Sequence, residues 1–229
     1  MLTPERAAAT RGAKARKSKA QGSGPKTRIQ ARNEARILDA AQQVFAEHGF
    51  RGATVDQIAA RAKMSKPNVH YYFKRKTDLY LAVLLRTLDI WLEPFRGLDP
   101  EGDPERELRR YISAKIRFSR EYPTASRVFA TEILQGAPVL KRYLGTDLRQ
   151  LVDRKAQVIR HWVATGRLAE VDPHHLVFLI WAATQHYADF ETQVTAVLGK
   201  KSLTKDDFER IEDSVCRVIL RGLLPRGED

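Results

Sequence analysis

A single cysteine, Cys216, stands in this chain of 229 residues. One thiol cannot close an internal disulfide, which fits a reducing compartment. Long apolar runs are missing too, and no stretch approaches the ~20 residues of a membrane span. The opening segment, MLTPERAAATRGAKARKSKAQGSG, has no apolar core of the kind a secretory signal carries. These absences predict a cytoplasmic protein with no membrane partner. Catalytic and metal signatures are missing as well. There is no HxxxH or CxxC spacing, and the adjacent His174 and His175 cannot share one helical face. No glycine-rich phosphate loop occurs. His186 and Asp189 lie three apart, yet no serine or cysteine nucleophile pattern accompanies them. The expectation is no catalytic residues, no metal, no cofactor and no enzyme. Cys216, between Val215, Val218 and Ile219, reads as buried in a core or an interface.

Acidic residues are scarce at one end of the chain. The net charge is +12, and residues 1–80 hold 17 of the 40 Lys/Arg but only 6 of the 28 Asp/Glu. The excess therefore sits in the first third. A basic segment on a nearly neutral body suits a polyanion such as nucleic acid or an acidic membrane surface, or else serves only to solubilise. Residues 1–28 contain almost no large apolar side chains and read as a disordered basic arm. Arg16, Lys17, Lys19, Lys26 and Arg28 would lie along a phosphate backbone or do nothing at all.

From there the apolar spacing is helical almost everywhere. Ile37, Ala41, Val44 and Phe45 repeat at three and four, and Gly49 is placed to end that helix. Thr54 caps a short helix carrying Val55, Ile58, Ala59 and Ala62 inward. After the turn KMSK, Ser65 caps another, with Pro67 in its first turn, where a missing N–H costs little. A long helix spans about 77–95, and RGLDPEGDP reads as a linker. Further helices are predicted at roughly 104–120, 123–135, 138–165, 173–196 and 205–222. In the last, Thr204 and Asp207 form the cap and Leu203 is set to staple onto Phe208. No alternating strand pattern and no fixed repeat occur, so the fold class is all-α.

Two short helices joined by a tight turn and preceded by a longer one make a helix-turn-helix. The second helix would enter a major groove with Lys66, Pro67, Asn68 and His70 foremost. The Asn68 amide pairs donor and acceptor as an adenine edge requires, and Lys66 donates to guanine or phosphate. Tyr71 or Tyr72 reaches phosphate through its hydroxyl. Val69 and Phe73 face back to hold the helix. Lys76 brings charge and a helix N-terminus near the backbone.

The stretch ILDAAQQVFAEHGFRGATVDQIAARAKMSKPNVHYYFKRKTDLYLAVL resembles the DNA-binding domain of the TetR family of bacterial repressors. One departure is Lys63, where the family usually has glycine, at a cost if the position needs a positive φ. The resemblance implies a homodimer of about nine helices. Its first three bind a palindromic operator in double-stranded DNA, its middle holds a small molecule, and its last two helices form the dimer. It implies base contacts at Lys66, Pro67, Asn68, His70 and Tyr72, and phosphate contacts at Thr54, Tyr71 or Tyr72, and Lys76. The division is a helix-turn-helix domain at 29–76 and a ligand-binding and dimerisation domain at 77–229.

The helix containing Trp181 starts almost wholly apolar, and then Gln185, His186, Tyr187 and Asp189 arrive together. Buried polar groups need partners from the protein, a ligand or a second subunit. The segments LDIWLEPF, SREYPTASRVFATEILQGAPVL and IWAATQHYADFETQVTAV resemble the pyrimidine-utilisation branch of the same family, which implies uracil or thymine as effector. A flat pyrimidine suits the aromatic faces of Trp91 and Trp181, and its imide edge suits Gln185. Tyr187 joins the candidate ligand set. His186, Tyr187 and Asp189 fit a dimer-interface network equally well, and both tryptophans fit a plain core. Another planar metabolite or a drug remains an alternative effector.

Overall fold

The computed structural model describes residues 27–224, and within them the chain is helical without a strand. The proposed arm contacts Arg16, Lys17, Lys19 and Lys26 lie outside the described residues. Helix α1 (Arg28–Gly52) starts from a capping box in which Thr27 accepts from the Gln30 amide and Gln30 returns the bond. Its backbone leaves helical geometry at Gly49, where φ is 64°, a conformation glycine adopts without strain. Helix α2 (Val55–Arg61) repeats the capping box with Thr54 and Gln57, and Ser65 caps α3 (Lys66–Tyr72) through the Asn68 amide.

Between α2 and α3 the backbone turns through Lys63 at φ 53°. Arg36 of α1 reaches across to donate to the carbonyls of Ala62 and Lys63, at 2.5 and 3.2 Å. Arg61 forks onto Glu47, tying α2 to α1. Ile37, Ala41, Val44, Phe45, Ile58, Ala59 and Val69 fill the space between the three helices.

Helix α4 (Lys76–Arg96) runs from this unit into the body. The segment read as a linker is pinned rather than loose. Trp162 Nε1 donates to the Pro100 carbonyl, Lys155 to that of Leu98 and Arg110 to that of Gly97. Helices α5 (Pro104–Glu121) and α6 (Pro123–Leu134) follow. Helix α7 is one rod, with an α-turn at Lys141–Tyr143, a π-helical turn at Leu144–Leu148 and an α-helix at Arg149–Ala164.

The stretch expected as one helix over 173–196 divides in two. Helix α8 (Pro173–Asp189) stops at Phe190, where φ is −117° and ψ 30°, and α9 (Glu191–Val197) continues in a new direction. The division falls where Ser126 of α6 takes the Asp189 carboxylate and Arg127 takes Glu191, so side-chain ties to α6 replace helical continuity. Helix α10 (Lys205–Arg221) has the expected Thr204–Asp207 box, and Leu203 packs on the core. In the body α5 lies at the centre, packed against α4, α6, α8 and α10, while α6 packs back onto α1.

Candidate DNA-reading face and effector pocket

Thr54, Lys66, Pro67, Asn68 and Tyr71 share exposure at the α2–α3 corner, with His70 and Tyr72 half-buried. Val69 is buried and Phe73 packs on the core, so α3 keeps its other face outward. The polar side chains there are only lightly engaged. Lys66 pairs with Asp56 at 2.9 Å across two exposed groups, a contact of small net value that another anion readily replaces. Tyr71, 62% exposed, accepts at its hydroxyl from Gln30 at 3.4 Å, and Tyr72 accepts from Asn33 at 3.3 Å. Each phenol keeps its own proton to give, as a phosphate contact requires.

Lys76 is placed differently from the expectation. Its ammonium donates to the carbonyls of Phe50 and Ala53, at 2.7 and 2.8 Å, and sits 4.7 Å from the centre of the Phe50 ring. The end of α1 leaves carbonyls without helical partners, and this lysine supplies the donor. A third carbonyl, Arg51, lies at 3.4 Å. Lys76 thus closes the join between α1 and α4 rather than reaching freely outward.

In the body, a cavity of about 610 Å³ opens between α6, α7 and α8. Trp181, Gln185, His186 and Asp189 of α8 form one wall, and Phe129 and Leu134 of α6 form another. Trp181 is fixed in orientation by donating from Nε1 to the Tyr111 hydroxyl at 2.6 Å. Burial pushes the Tyr111 phenol above its ordinary range, so it stays protonated. The Gln185 amide, half-buried in the same wall, makes no hydrogen bond to the described residues. A half-buried amide with free donor and acceptor is an unfilled recognition element. Asp189 accepts from Ser126, and its carboxyl is raised, burial first, against the lowering effect of that bond and of Lys115 and Arg127 nearby.

Two of the four expected ligand residues are not brought to the wall. Trp91 is buried behind Phe129, with ring centres 5.1 Å apart and edge to face, and the Lys115 ammonium covers its ring at 4.3 Å. Its faces are therefore occupied by protein. Tyr187 points off the cavity side of α8 and packs against the core, since a step of two residues from Gln185 turns roughly 200° around a helix. His186 and Asp189, read beforehand as equally suited to a dimer network, line the cavity. The α6 wall was missed, although its sequence lay within a segment that carried the resemblance.

Comparison with known proteins bears on the family and on the fold. The sequence model for bacterial regulatory proteins of the tetR family matches residues 37–83, and that for the C-terminal region of YcdC-like proteins matches residues 84–226. The HTH-type transcriptional regulator RutR of Escherichia coli K12 is 44% identical over 203 residues, covering 89% of this chain and 96% of that protein. The chain belongs to the TetR family. It is a helix-turn-helix transcriptional regulator, like the relatives it matches. The HTH-type transcriptional repressor NicS of Pseudomonas putida is 30% identical over 57% of the chain and 61% of its own length. The fold matches a TetR-like regulator from Rhodococcus sp. RHA1 with a TM-score of 0.61 at 24% identity, covering 86% of this chain and 97% of that one. It also matches AibR, solved with isovaleryl coenzyme A and operator DNA, with a TM-score of 0.62 at 18% identity over 82% and 98%.

A second, wholly different concavity of about 470 Å³ lies between α8 and α10, lined by Leu176, Leu179, Val215, Val218 and Ile219. Phe178, Leu179 and Val218 around it are 50%, 55% and 73% exposed. Neither concavity is matched by a metal centre, since no group of three His, Cys, Asp or Glu side chains comes together among the described residues. No helix there is long and apolar enough to cross a membrane. Cys216 is buried beside the α8–α10 groove, and burial raises its thiol.

Proposed function

We propose that this TetR-family regulator is a cytoplasmic homodimeric repressor that senses a pyrimidine such as uracil or thymine and controls pyrimidine utilisation. The observation that carries the reading is the Gln185 amide. It stands without a protein partner in a cavity wall, one helical turn from a Trp181 ring locked by Tyr111. An imide edge needs a donor and an acceptor side by side, and its flat ring needs an aromatic surface. The resemblance to the pyrimidine-utilisation branch supports the same choice.

The DNA module, residues 29–76, reads bases with Lys66, Pro67, Asn68 and His70, and holds phosphates with Thr54, Tyr71 and Tyr72. Lys66 exchanges Asp56 for DNA when it binds. Lys76 contributes chiefly by fixing the angle between α1 and α4, and any phosphate contact it makes competes with its carbonyls. Two copies join through α8 and α10 of the 77–229 domain, covering the exposed Phe178, Leu179 and Val218. Large exposed apolar faces are what such interfaces bury. The dimer then sets the two α3 helices in successive major grooves of a palindrome, roughly 34–36 Å apart.

Coupling runs through α6. It forms a wall of the cavity on one side and packs on α1 on the other. Buried Glu132 of α6 accepts from the backbone amides of Val139 and Leu140. Its charge and hydrogen bond, after burial, hold the Tyr80 hydroxyl of α4 protonated. A ligand that binds the α6–α8 cavity better in one arrangement of α6 than another shifts α1, and with it α3. The shift is limited to the ligand's differential affinity.

A second reading has its own support. The cavity volume falls in the range of about 300–1,000 Å³ typical of drug-sized ligands, larger than one pyrimidine ring needs. A bulkier planar or aromatic metabolite, or a drug, therefore fits as the alternative effector. Selection of bound duplexes from a random pool, with and without uracil, tests the proposal. The expected outcome is a palindrome with half-sites one turn apart, depleted when uracil is present. A palindrome recovered equally with uracil leaves the DNA reading standing and favours the alternative effector.

A further inference from the structure

Helix α8 shows solvent a single unbroken stripe. Its exposed side chains are His175, Phe178, Leu179, Ala182, His186 and, at its end, Phe190. Spaced by three and four, they fall within roughly a third of the helix circumference. No Lys, Arg, Asp or Glu occurs from residue 173 to residue 188. An exposed helix face without charge over roughly four turns has the composition of the centre of a protein interface.

The stripe is also a ridge between two hollows. His175 and Leu179 border the α8–α10 groove on one flank. Ala182, His186 and Phe190 border the effector cavity on the other. The dimer proposed above seats a second copy on Phe178 and Leu179, and the ridge carries that contact on to the cavity mouth. A two-fold dimer buries the same patch on both copies, so the patch must fit itself. A neutral ridge meets its own copy without charge repulsion. Ala182 is its smallest side chain and stands at its middle, where two helices approach most closely. An antiparallel crossing there sets Phe178 of one copy opposite His186 of the other, since each lies four residues from Ala182. The ring then enters the cavity mouth as a knob enters a hole. A parallel crossing sets Phe178 against Phe178 and leaves both cavities open.

We propose that a second copy of this chain completes the effector site: the two α8 ridges cross antiparallel at Ala182, and Phe178 of the partner subunit closes the mouth of the α6–α8 cavity beside His186. The inference rests on the effector and dimer readings above and deepens them. A ligand in the cavity touches both subunits. Its binding therefore bears directly on how they are set relative to each other, and so on the spacing of the two α3 helices.

Two experiments on the full chain test this. In Ala182→Cys the two new thiols fall within disulfide reach, so oxidation by copper phenanthroline yields a covalent dimer on a non-reducing gel. The wild type, whose one cysteine is buried, runs as a single chain. No covalent dimer in Ala182→Cys overturns the crossing. Within its own chain Phe178 also lies against Trp181, with ring centres 5.8 Å apart, so mixed dimers are needed to assign its ring. Each pairs a subunit disabled by Trp181→Phe with a subunit whose site is intact, and calorimetry follows uracil at the intact site. Phe178→Ala in the disabled subunit is expected to weaken that site about tenfold, relative to the pairing in which both keep Phe178. Phe178→Ala in the competent subunit is expected to weaken it far less. Weakening that follows the competent subunit's own Phe178, or none in either pairing, overturns the proposal and leaves the effector site in place. No saturable uracil binding in the wild-type dimer overturns the effector reading, and the proposal with it.

Discussion

Lys63 holds a left-handed backbone in the turn between α2 and α3, with φ at 53° and no other feature that demands lysine. A side chain there costs about 1–2 kcal/mol of backbone strain, offset partly by the entropy glycine would lose. Lys63→Gly is therefore expected to stabilise the protein by about 0.5–1 kcal/mol and raise its melting temperature by a few degrees. Scanning calorimetry checks this, and an unchanged or lower midpoint contradicts it. The departure was visible in the sequence against the family pattern, and the positive φ is what gives it meaning. Lys115 was not singled out in the sequence. It interrupts the apolar row of α5, but a lysine at such spacing reads as a solvated face until the fold shows it buried with its ammonium over the Trp91 ring. Trp91 failed for the converse reason. Aromatic content marked it as a ligand platform, and only tertiary packing reveals that Lys115 and Phe129 already occupy its faces.

At the scale of elements, the capping residues were the most readable feature. Thr54, Ser65 and Thr204 each sit where their helix begins because an oxygen there satisfies an amide that the helix cannot. The end of α8 was not readable, since Asp189–Phe190–Glu191 contains no glycine or proline, and the break is imposed from α6 by Ser126 and Arg127. The join between α1 and α4 was misjudged for a similar reason. Lys76 follows two basic residues in sequence and reads as part of a phosphate clamp, but carbonyls from residues 50–53 converge on it. These roles separate experimentally. Lys76→Met leaves carbonyls unpaired, costs about 1–2 kcal/mol of stability, and weakens binding to every DNA sequence alike. Asn68→Ala leaves the melting temperature within about a degree and relaxes base preference at one position of each half-site, worth roughly 1–3 kcal/mol of discrimination. Thermal melts with competition binding on variant duplexes distinguish them. An Asn68→Ala variant with unaltered preference would remove α3 from the reading role.

For the whole molecule, the proposed function depends on a dimer geometry that one chain does not possess. The apolar groove between α8 and α10, with Val218 exposed at 73%, is expected to vanish in a dimer. Val218→Glu should yield monomers by analytical ultracentrifugation and weaken binding to a two-half-site palindrome by about a hundredfold, since the second half-site no longer benefits from tethering. A dimer that persists in this variant would place the interface elsewhere. Composition had already assigned the charge to the first third of the chain and the neutrality to the body, and periodicity had assigned the helices apart from the break at Phe190. What neither discloses is contact between distant segments: the α6 wall facing α8, and α6 resting on α1. On the proposed reading, that contact is what lets a pocket in the body govern a helix in a groove.

The most direct measurement is a titration of uracil into the purified protein, followed by tryptophan fluorescence. The account predicts saturable quenching at micromolar ligand, abolished in Trp181→Phe and weakened at least tenfold in Gln185→Ala. A wild-type signal that does not change with uracil, or a change that both variants retain in full, would contradict a pyrimidine site at the α6–α8 cavity.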